Sequence, residues 1–410
     1  MKRIIRYMQD QAVQAAEQKH SGTAYLSPRE QEPHHDSQPH HHETSTSTDH
    51  SNQVPPQTNH TALPLNRPLD HAKQFHTHHR TVSASTLERL HRDITRHQYA
   101  ADNIWQSYEL YLPNHTVDQN PQFWILYIHG GYFRDDSVTA ASFQPALAQL
   151  IKTPKYGLSL SHLAKLGDDQ EDISSYVAGY ASINYRLSPR PQKSPQGPKT
   201  PAYELRNAEW PDHVHDVLMA IAHLQDKYGF EDRYLLVGHS VGATMALLST
   251  LSSTKPLTSD ISVCSPKIHP PLAVLAVSGI YDFGLLHDSN PDSGYDELTR
   301  NAIRRPEDID LASPARYPLT DYNQIWAHGG KKTALIVAHS KDDGLVDWNQ
   351  VEAIQKVFGH PKGSDLNVGE QSAPIGFRVI EINGAHNDIW GHGTALAKVI
   401  RRAIRVTRTL

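Results

Sequence analysis

The sequence predicts an α/β fold: a mostly parallel central sheet with helices on both faces, preceded by a disordered N-terminal tail. Three observations carry this. Short apolar runs rich in Val, Ile, Leu and Tyr recur from about residue 87 onward, alternating with stretches of helical period. The runs are apolar throughout rather than every second residue, as in strands covered on both faces. Residues 27–81 (SPREQEPHHDSQPHHHETSTSTDHSNQVPPQTNHTALPLNRPLDHAKQFHTHHRT) have almost no aliphatic residues and no period. Such a segment buries too little apolar surface to offset its ordering entropy. The chain as a whole is 38% hydrophobic, below the roughly 45–50% of globular chains, and the tail accounts for the deficit. The organisation read here is a tail over 1–82 and a folded domain over 83–410.

Residues 9–19 (QDQAVQAAEQK) form an isolated candidate helix. Residues 86–96 (TLERLHRDITR) place Leu87, Leu90 and Ile94 on one helical stripe leading into the domain. The strand candidates are 107–112 (SYELYL), 123–128 (FWILYI), 177–185 (VAGYASINY), 233–237 (RYLLV), 272–278 (LAVLAVS), 334–338 (ALIVA) and 377–382 (FRVIEI). Helical patterns occupy 212–228, 241–251, 348–358 and 393–405. Parallel sheets of this kind bind ligands at the C-terminal ends of their strands, so chemistry is expected in the residues that follow each run.

The net charge of -5, with no basic stripe or nucleic-acid motif, argues against nucleic acid as a partner. The one cysteine, Cys264, excludes an intrachain disulfide and fits a reducing compartment. The opening MKRIIRYM is too short and too charged for a signal peptide, and no apolar run approaches the length of a membrane span. The expectation is a soluble cytoplasmic protein with a small-molecule substrate and no membrane partner. A homodimer is the base-rate assembly.

Four strand ends carry the candidate chemistry. After 233–237 comes Gly238-His239-Ser240-Val241-Gly242, a G-x-S-x-G pattern in strand–turn–helix context. That is the elbow that exposes a nucleophilic serine; the bland alternative is a serine capping a helix after a glycine turn. A serine hydroxyl needs a base, and the base an orienting acid, in the chain order Ser, Asp or Glu, His. After 334–338, Asp342 and Asp343 compete for the acid. The D-x-x-V spacing to Val346 favours Asp343, with Asp342 second and Asp282, after an earlier strand, third. After 377–382 comes His386, the candidate base, with His392 as the fallback. After 123–128 come His129, Gly130 and Gly131; the backbone N–H groups of the two glycines, with that of Val241, would form an oxyanion hole. His129 reads as a structural brace of that loop. Tyr132 and Phe133 are substrate-pocket candidates by position. The arrangement requires no metal or organic cofactor. Clusters such as His40-His41-His42 and His76-x-His78-His79 are weak metal-binding candidates in the tail. His213 and His215 read as surface or interface residues because no third ligand accompanies them.

With these motifs in view, the sequence resembles the fungal kynurenine formamidases (arylformamidases), an α/β-hydrolase family. The resemblance spans roughly residues 97–405 and rests on YIHGGYFRD, ASINYRLSP, RNAEWPDHVHDVLMAIAHLQDKYGF, LLVGHSVGATMALL, SGIYDF, AHSKDDGLVD and GAHNDIW. It implies Ser240 as nucleophile, Asp343 as acid, His386 as base and Gly130 and Gly131 in the oxyanion hole. It implies hydrolysis of N-formyl-L-kynurenine to L-kynurenine and formate, in tryptophan degradation and NAD synthesis. There are departures: Phe133 stands where the family pattern HGG-x-W has tryptophan, and 152–177 reads as an insertion. Two other functions fit the same elements, a carboxylesterase of short acyl esters and a non-catalytic hydrolase-fold binding protein.

Overall fold

All seven apolar runs form strands, and an eighth strand precedes them. The computed structural model describes residues 84–113, 123–151, 173, 176–190, 192–252, 254–259, 266–326, 333–359 and 376–408, all within one unit, Asp70–Leu410. The strands are β1 Thr95–Gln98, β2 Ser107–Tyr111, β3 Phe123–Ile128, β4 Val177–Ile183, β5 Tyr234–His239, β6 Ala273–Val277, β7 Ala334–Ser340 and β8 Gly376–Ile382. They make one sheet in the order β1-β2-β4-β3-β5-β6-β7-β8. The pairs β1–β2 and β2–β4 are antiparallel, and the other five are parallel. The tail over 1–82, the 9–19 helix, the tail histidines, Cys264 and nearly all of the 152–177 insertion lie outside the described residues.

The helices are α1 Ala84–Asp93, α2 Gln144–Leu150, α3 Asp212–Tyr228, α4 Val241–Leu251, α5 Phe283–Ser289, α6 Tyr295–Ala302, α7 Asp308–Leu311, α8 Leu319–Trp326, α9 Asn349–Phe358, α10 Asp388–Gly391 and α11 Thr394–Thr407. Every residue of β3, β5, β6 and β7 is buried, which explains why their sequences do not alternate. Phe123, Ile125 and Tyr127 join Leu235, Val237, Leu275 and Ile336 on one face, under α2 and the Leu396, Ile400 and Ile404 stripe of α11. On the other face Trp124 packs 4.6 Å from Tyr228 of α3 and 5.1 Å from Phe230. Helix α4 is apolar and buried all round, as a helix in the middle of a core must be. Among the described residues no helix is long and apolar enough to cross a membrane.

Two expectations change. The helix read over 86–96 stops at Asp93, and Thr95–Gln98 pairs with β2 instead. The free edge of β2 gives those residues backbone partners that another helical turn would not. Leu90 is buried in the core and Ile94 packs partly against it. Helices α5 to α8, between β6 and β7, were not anticipated; α5 and α6 form a roof over the loop after β3, where Phe283 and Tyr295 meet Tyr132, while α8 reaches the start of β7, its Trp326 carbonyl accepting from the Thr333 N–H at 3.1 Å.

His213 is a correction as well. It is fully buried rather than on the surface, while His215 is half-buried. Ser188 Oγ donates to the Ala208 carbonyl at 2.9 Å, so it accepts from His213 Nε2–H, also at 2.9 Å. Burial, helped by nearby Arg186, pushes the His213 pKa down to about 3. In the unfolded chain the same ring titrates near its ordinary value of about 6.5. Between these values the unfolded state binds more protons, so His213 makes stability fall as pH is lowered. Its contribution to the slope is about 1.4 kcal/mol per pH unit. Gln keeps an N–H donor for Ser188 without titrating. Urea unfolding of His213→Gln between about pH 6 and 4 is therefore expected to show a slope shallower by that amount. Parallel curves for parent and variant would refute this account.

Candidate active site

The elbow is built by close backbone approach. Ser240 follows β5 with φ 57° and ψ -127°, and α4 starts at the next residue. A Cβ on Gly238 would lie 2.2 Å from the Gly242 carbonyl oxygen, and one on Gly242 would lie 2.3 Å from that of Ile128. Glycine at both positions lets α4 begin against the end of β3. The Ser240 N–H donates to the Val277 carbonyl at 2.9 Å, tying the turn to β6. A left-handed non-glycine residue costs on the order of 1–3 kcal/mol and persists where its surroundings enforce it.

The loop after β7 presents Asp343, which is buried. Its Oδ1 accepts from the N–H groups of Leu345 at 3.0 Å and Val346 at 2.9 Å. Its Oδ2 accepts from His386 Nδ1 at 2.8 Å. Burial alone would raise the Asp343 pKa. The adjacent His386 ring, its hydrogen bond and that from Val346 outweigh burial and hold the carboxyl well below the usual range. Asp342 is exposed. Asp282 caps α5, accepting from the Leu285 N–H at 3.0 Å, and pairs with Arg316 at 3.0 Å. His392 is exposed. Of the candidate acids and bases, the structure joins Asp343 and His386.

His386 also touches the elbow. Its carbonyl accepts from His239 Nε2 at 3.1 Å, and the two rings lie 4.6 Å apart. Among the described residues no hydrogen bond links Ser240 Oγ to His386. Such contacts are often long before substrate binds.

The loop after β3 completes the cluster. A Cβ on Gly130 would lie 2.9 Å from Ser240 Cβ, so this glycine sits directly against the elbow. The Gly130 carbonyl accepts from Tyr185 Oη at 2.7 Å and from His129 Nδ1 at 2.9 Å, which fixes that peptide. His129 is fully buried and stacks on Tyr185 at 4.3 Å. Burial pushes its pKa down to about 4 against the hydrogen bond to Gly130, so it is neutral near pH 7. The N–H groups of Gly131 and Val241 have no hydrogen-bond partner among the described residues. They are free to receive developing negative charge.

Of the two pocket candidates, Tyr132 is half-buried and Phe133 fully buried. Phe133 packs 4.8 Å from His213 and 6.0 Å from Trp210. It is therefore part of the packing beneath the loop and not a wall open to a ligand. Sequence reading missed His239 and His339. His339 Nε2 donates to the Val346 carbonyl at 2.9 Å, bracing the acid loop. The available signal was that each histidine is followed by a serine at the C-terminal end of a strand.

A parallel sheet crossed by an antiparallel edge, a left-handed serine after its central strand and an Asp–His pair after its last two strands are the architecture of the α/β-hydrolases, and this chain is one. No protein-family model matches it. It is 33% identical over 293 residues to kynurenine formamidase avaC of Aspergillus versicolor, covering 67% of this chain and 85% of that protein. It is 28% identical over 315 residues to kynurenine formamidase-like hydrolase fscH of Fusarium equiseti, covering 75% and 91%. The chain belongs to the kynurenine formamidase family and is a hydrolase. Among solved structures, a truncated carbohydrate esterase from gut microbiota aligns over 77% of this chain and 96% of that one, at 17% identity and a TM-score of 0.48. Esterase B from Lactobacillus rhamnosis aligns over 80% and 90%, at 14% identity and a TM-score of 0.48.

Proposed function

We propose that the protein hydrolyses N-formyl-L-kynurenine to L-kynurenine and formate, a step of tryptophan degradation and NAD synthesis. Ser240 is the nucleophile, His386 the base and Asp343 the acid that orients it. The observation that carries the reading is the 2.8 Å bond from His386 Nδ1 to Asp343 beside the Ser240 elbow, in a chain whose relatives are named kynurenine formamidases.

The chemistry follows from the groups. Asp343 holds the Nδ1–H tautomer, leaving the other ring nitrogen of His386 to take the Ser240 proton as Oγ bonds to the formyl carbon. The carbonyl electron pair moves onto oxygen, where the N–H groups of the Gly130–Gly131 segment and Val241 receive it. The C–N bond breaks as His386 returns the proton to the aniline nitrogen, releasing kynurenine. Water then gives its proton to His386 and its oxygen to the formyl carbon. The Ser240 ester bond breaks as His386 returns that proton to Ser240 Oγ, and formic acid leaves and ionises to formate.

A pocket built for a formyl group should reject larger acyl groups. With formyl, acetyl and butyryl esters of one phenol, kcat/KM is expected to fall steeply at each step, by about tenfold or more. N-formyl-L-kynurenine should release kynurenine, read from its absorbance. Butyryl turnover at or above formyl turnover, with N-formyl-L-kynurenine untouched, would instead identify a carboxylesterase.

A further inference from the structure

Tyr132 and Phe133 are consecutive non-glycine residues with positive φ, 48° and 65°. Side chains keep that conformation where neighbours over-determine it, and here the roof does so. The Tyr132 ring lies 5.6 Å from Tyr295 at 11°, and edge-on to Phe283 at 6.2 Å. Its hydroxyl meets Thr299 Oγ1 at 2.8 Å.

Thr299 is fully buried, and its Oγ1 has two further partners: the Tyr295 carbonyl at 2.8 Å and His287 Nε2 at 2.8 Å. A threonine hydroxyl has one proton and two lone pairs. The carbonyl only accepts, so Thr299 donates there, and both Tyr132 O–H and His287 Nε2–H donate to Thr299. The hydroxyl is filled to capacity, which gives the Tyr132 hydroxyl a single orientation. The same helix reaches the acid. Tyr295 Oη donates to the Leu345 carbonyl at 2.6 Å, in the loop whose Leu345 and Val346 N–H groups bind Asp343. Helix α6 thus holds the loop that carries Gly130 and Gly131 and the loop that carries Asp343, without supplying a group to the reacting atoms.

We propose that Thr299 and Tyr295 are positioning residues: through Tyr132 they fix the Gly130–Gly131 segment in the geometry that receives the oxyanion, and through Leu345 they register it against the Asp343 loop. The proposal rests on the hydrolase reading of Ser240. Charge develops in the transition state, so a displaced donor is felt in kcat more than in KM.

The test compares Thr299→Val, Thr299→Ser, Tyr132→Phe and the Val/Phe double variant with the parent. The assays are turnover of N-formyl-L-kynurenine and of phenyl formate, the rate of Ser240 labelling by a fluorophosphonate, and Tm. Thr299→Val is expected to lower kcat about 10- to 100-fold and to change KM by less than about threefold. Thr299→Ser, which keeps the hydroxyl, should recover kcat to within about threefold of the parent. Tyr132→Phe keeps the ring stack and loses the same bond. It should match Thr299→Val, with the double variant no slower than the slower single one.

Parental kcat in a folded Thr299→Val or Tyr132→Phe protein would overturn the proposal. So would a loss confined to KM, or losses that multiply in the double variant. If Thr299→Val does not fold, Tyr132→Phe decides alone. A parent that neither turns over nor labels would overturn the hydrolase reading itself, whereas an active parent with unaffected variants overturns only the positioning role.

Discussion

Ser240→Ala protein is expected to fold as the parent does and to lose turnover by about a millionfold. The folding half of this expectation follows from the hydroxyl's position. Ser240 Oγ makes no hydrogen bond among the described residues, and the turn is fixed by backbone: the Ser240 N–H on Val277 and the close glycine contacts of α4 with β3. Alanine meets the same left-handed strain as serine, so Tm should stay within about 2 °C. The kinetic half follows from the chemistry. Without the hydroxyl no acyl-enzyme forms, and His386, Asp343 and the free N–H groups then act as a unit without its nucleophile. The residual rate should be that of a water molecule attacking in a polarised site. Measured with N-formyl-L-kynurenine, a rate within about tenfold of the parent would end the nucleophile assignment.

Asp343→Asn is expected to lower kcat about 10⁴-fold, while Asp342→Asn, on the exposed neighbour, should change it by less than about twofold. The direction can be argued atom by atom. Leu345 and Val346 N–H groups need an acceptor, so the amide oxygen of the new asparagine turns to them. Its NH2 then donates to His386 Nδ1, which must give up its proton and accept. The ring switches to the Nε2–H tautomer and presents a proton where it must accept one. Partial recovery of rate at high pH, where serine ionises more readily, would support this tautomer account. A folded Asp343→Asn protein with parental kcat would shift the acid to another residue, with Asp282 the next to mutate.

Most of the sheet was legible because β3, β5, β6 and β7 are buried on both faces and so read as unbroken apolar runs. The candidate site was legible for the same reason: Ser240, Asp343 and His386 follow strands that could be placed. What escaped the sequence depends on distant partners. The residues of β1, TRHQ, are exposed or half-buried at the sheet edge and carry no apolar pattern; they become a strand by pairing with β2. Helices α5 to α8 are too short to show a period, so the contacts of Tyr295 and Thr299 with the loops after β3 and β7 left no trace. The polar run DHVHD looks solvated, yet His213 is held by Ser188, 25 positions away. Phe133 sits beside the oxyanion loop in sequence but turns into the core, because its positive φ directs the ring inward against His213 and Trp210.

The strand order has a consequence for how activity arises during synthesis. Ser240 follows a central strand, while His386 arrives only with β8 at the sheet edge, and its carbonyl docks on His239 across 147 positions of chain. Contacts so distant in sequence form late, and domains assemble from the N-terminal side as the ribosome advances. A nascent chain that has passed Asp343 but not β8 already holds Ser240 and Asp343 but not His386. It also lacks the α11 stripe that closes one face of the core. On the proposed mechanism, the first turnover is therefore a marker that the final segment has docked. Ribosome-bound chains halted before β8 should be inert even where their earlier strands have already paired.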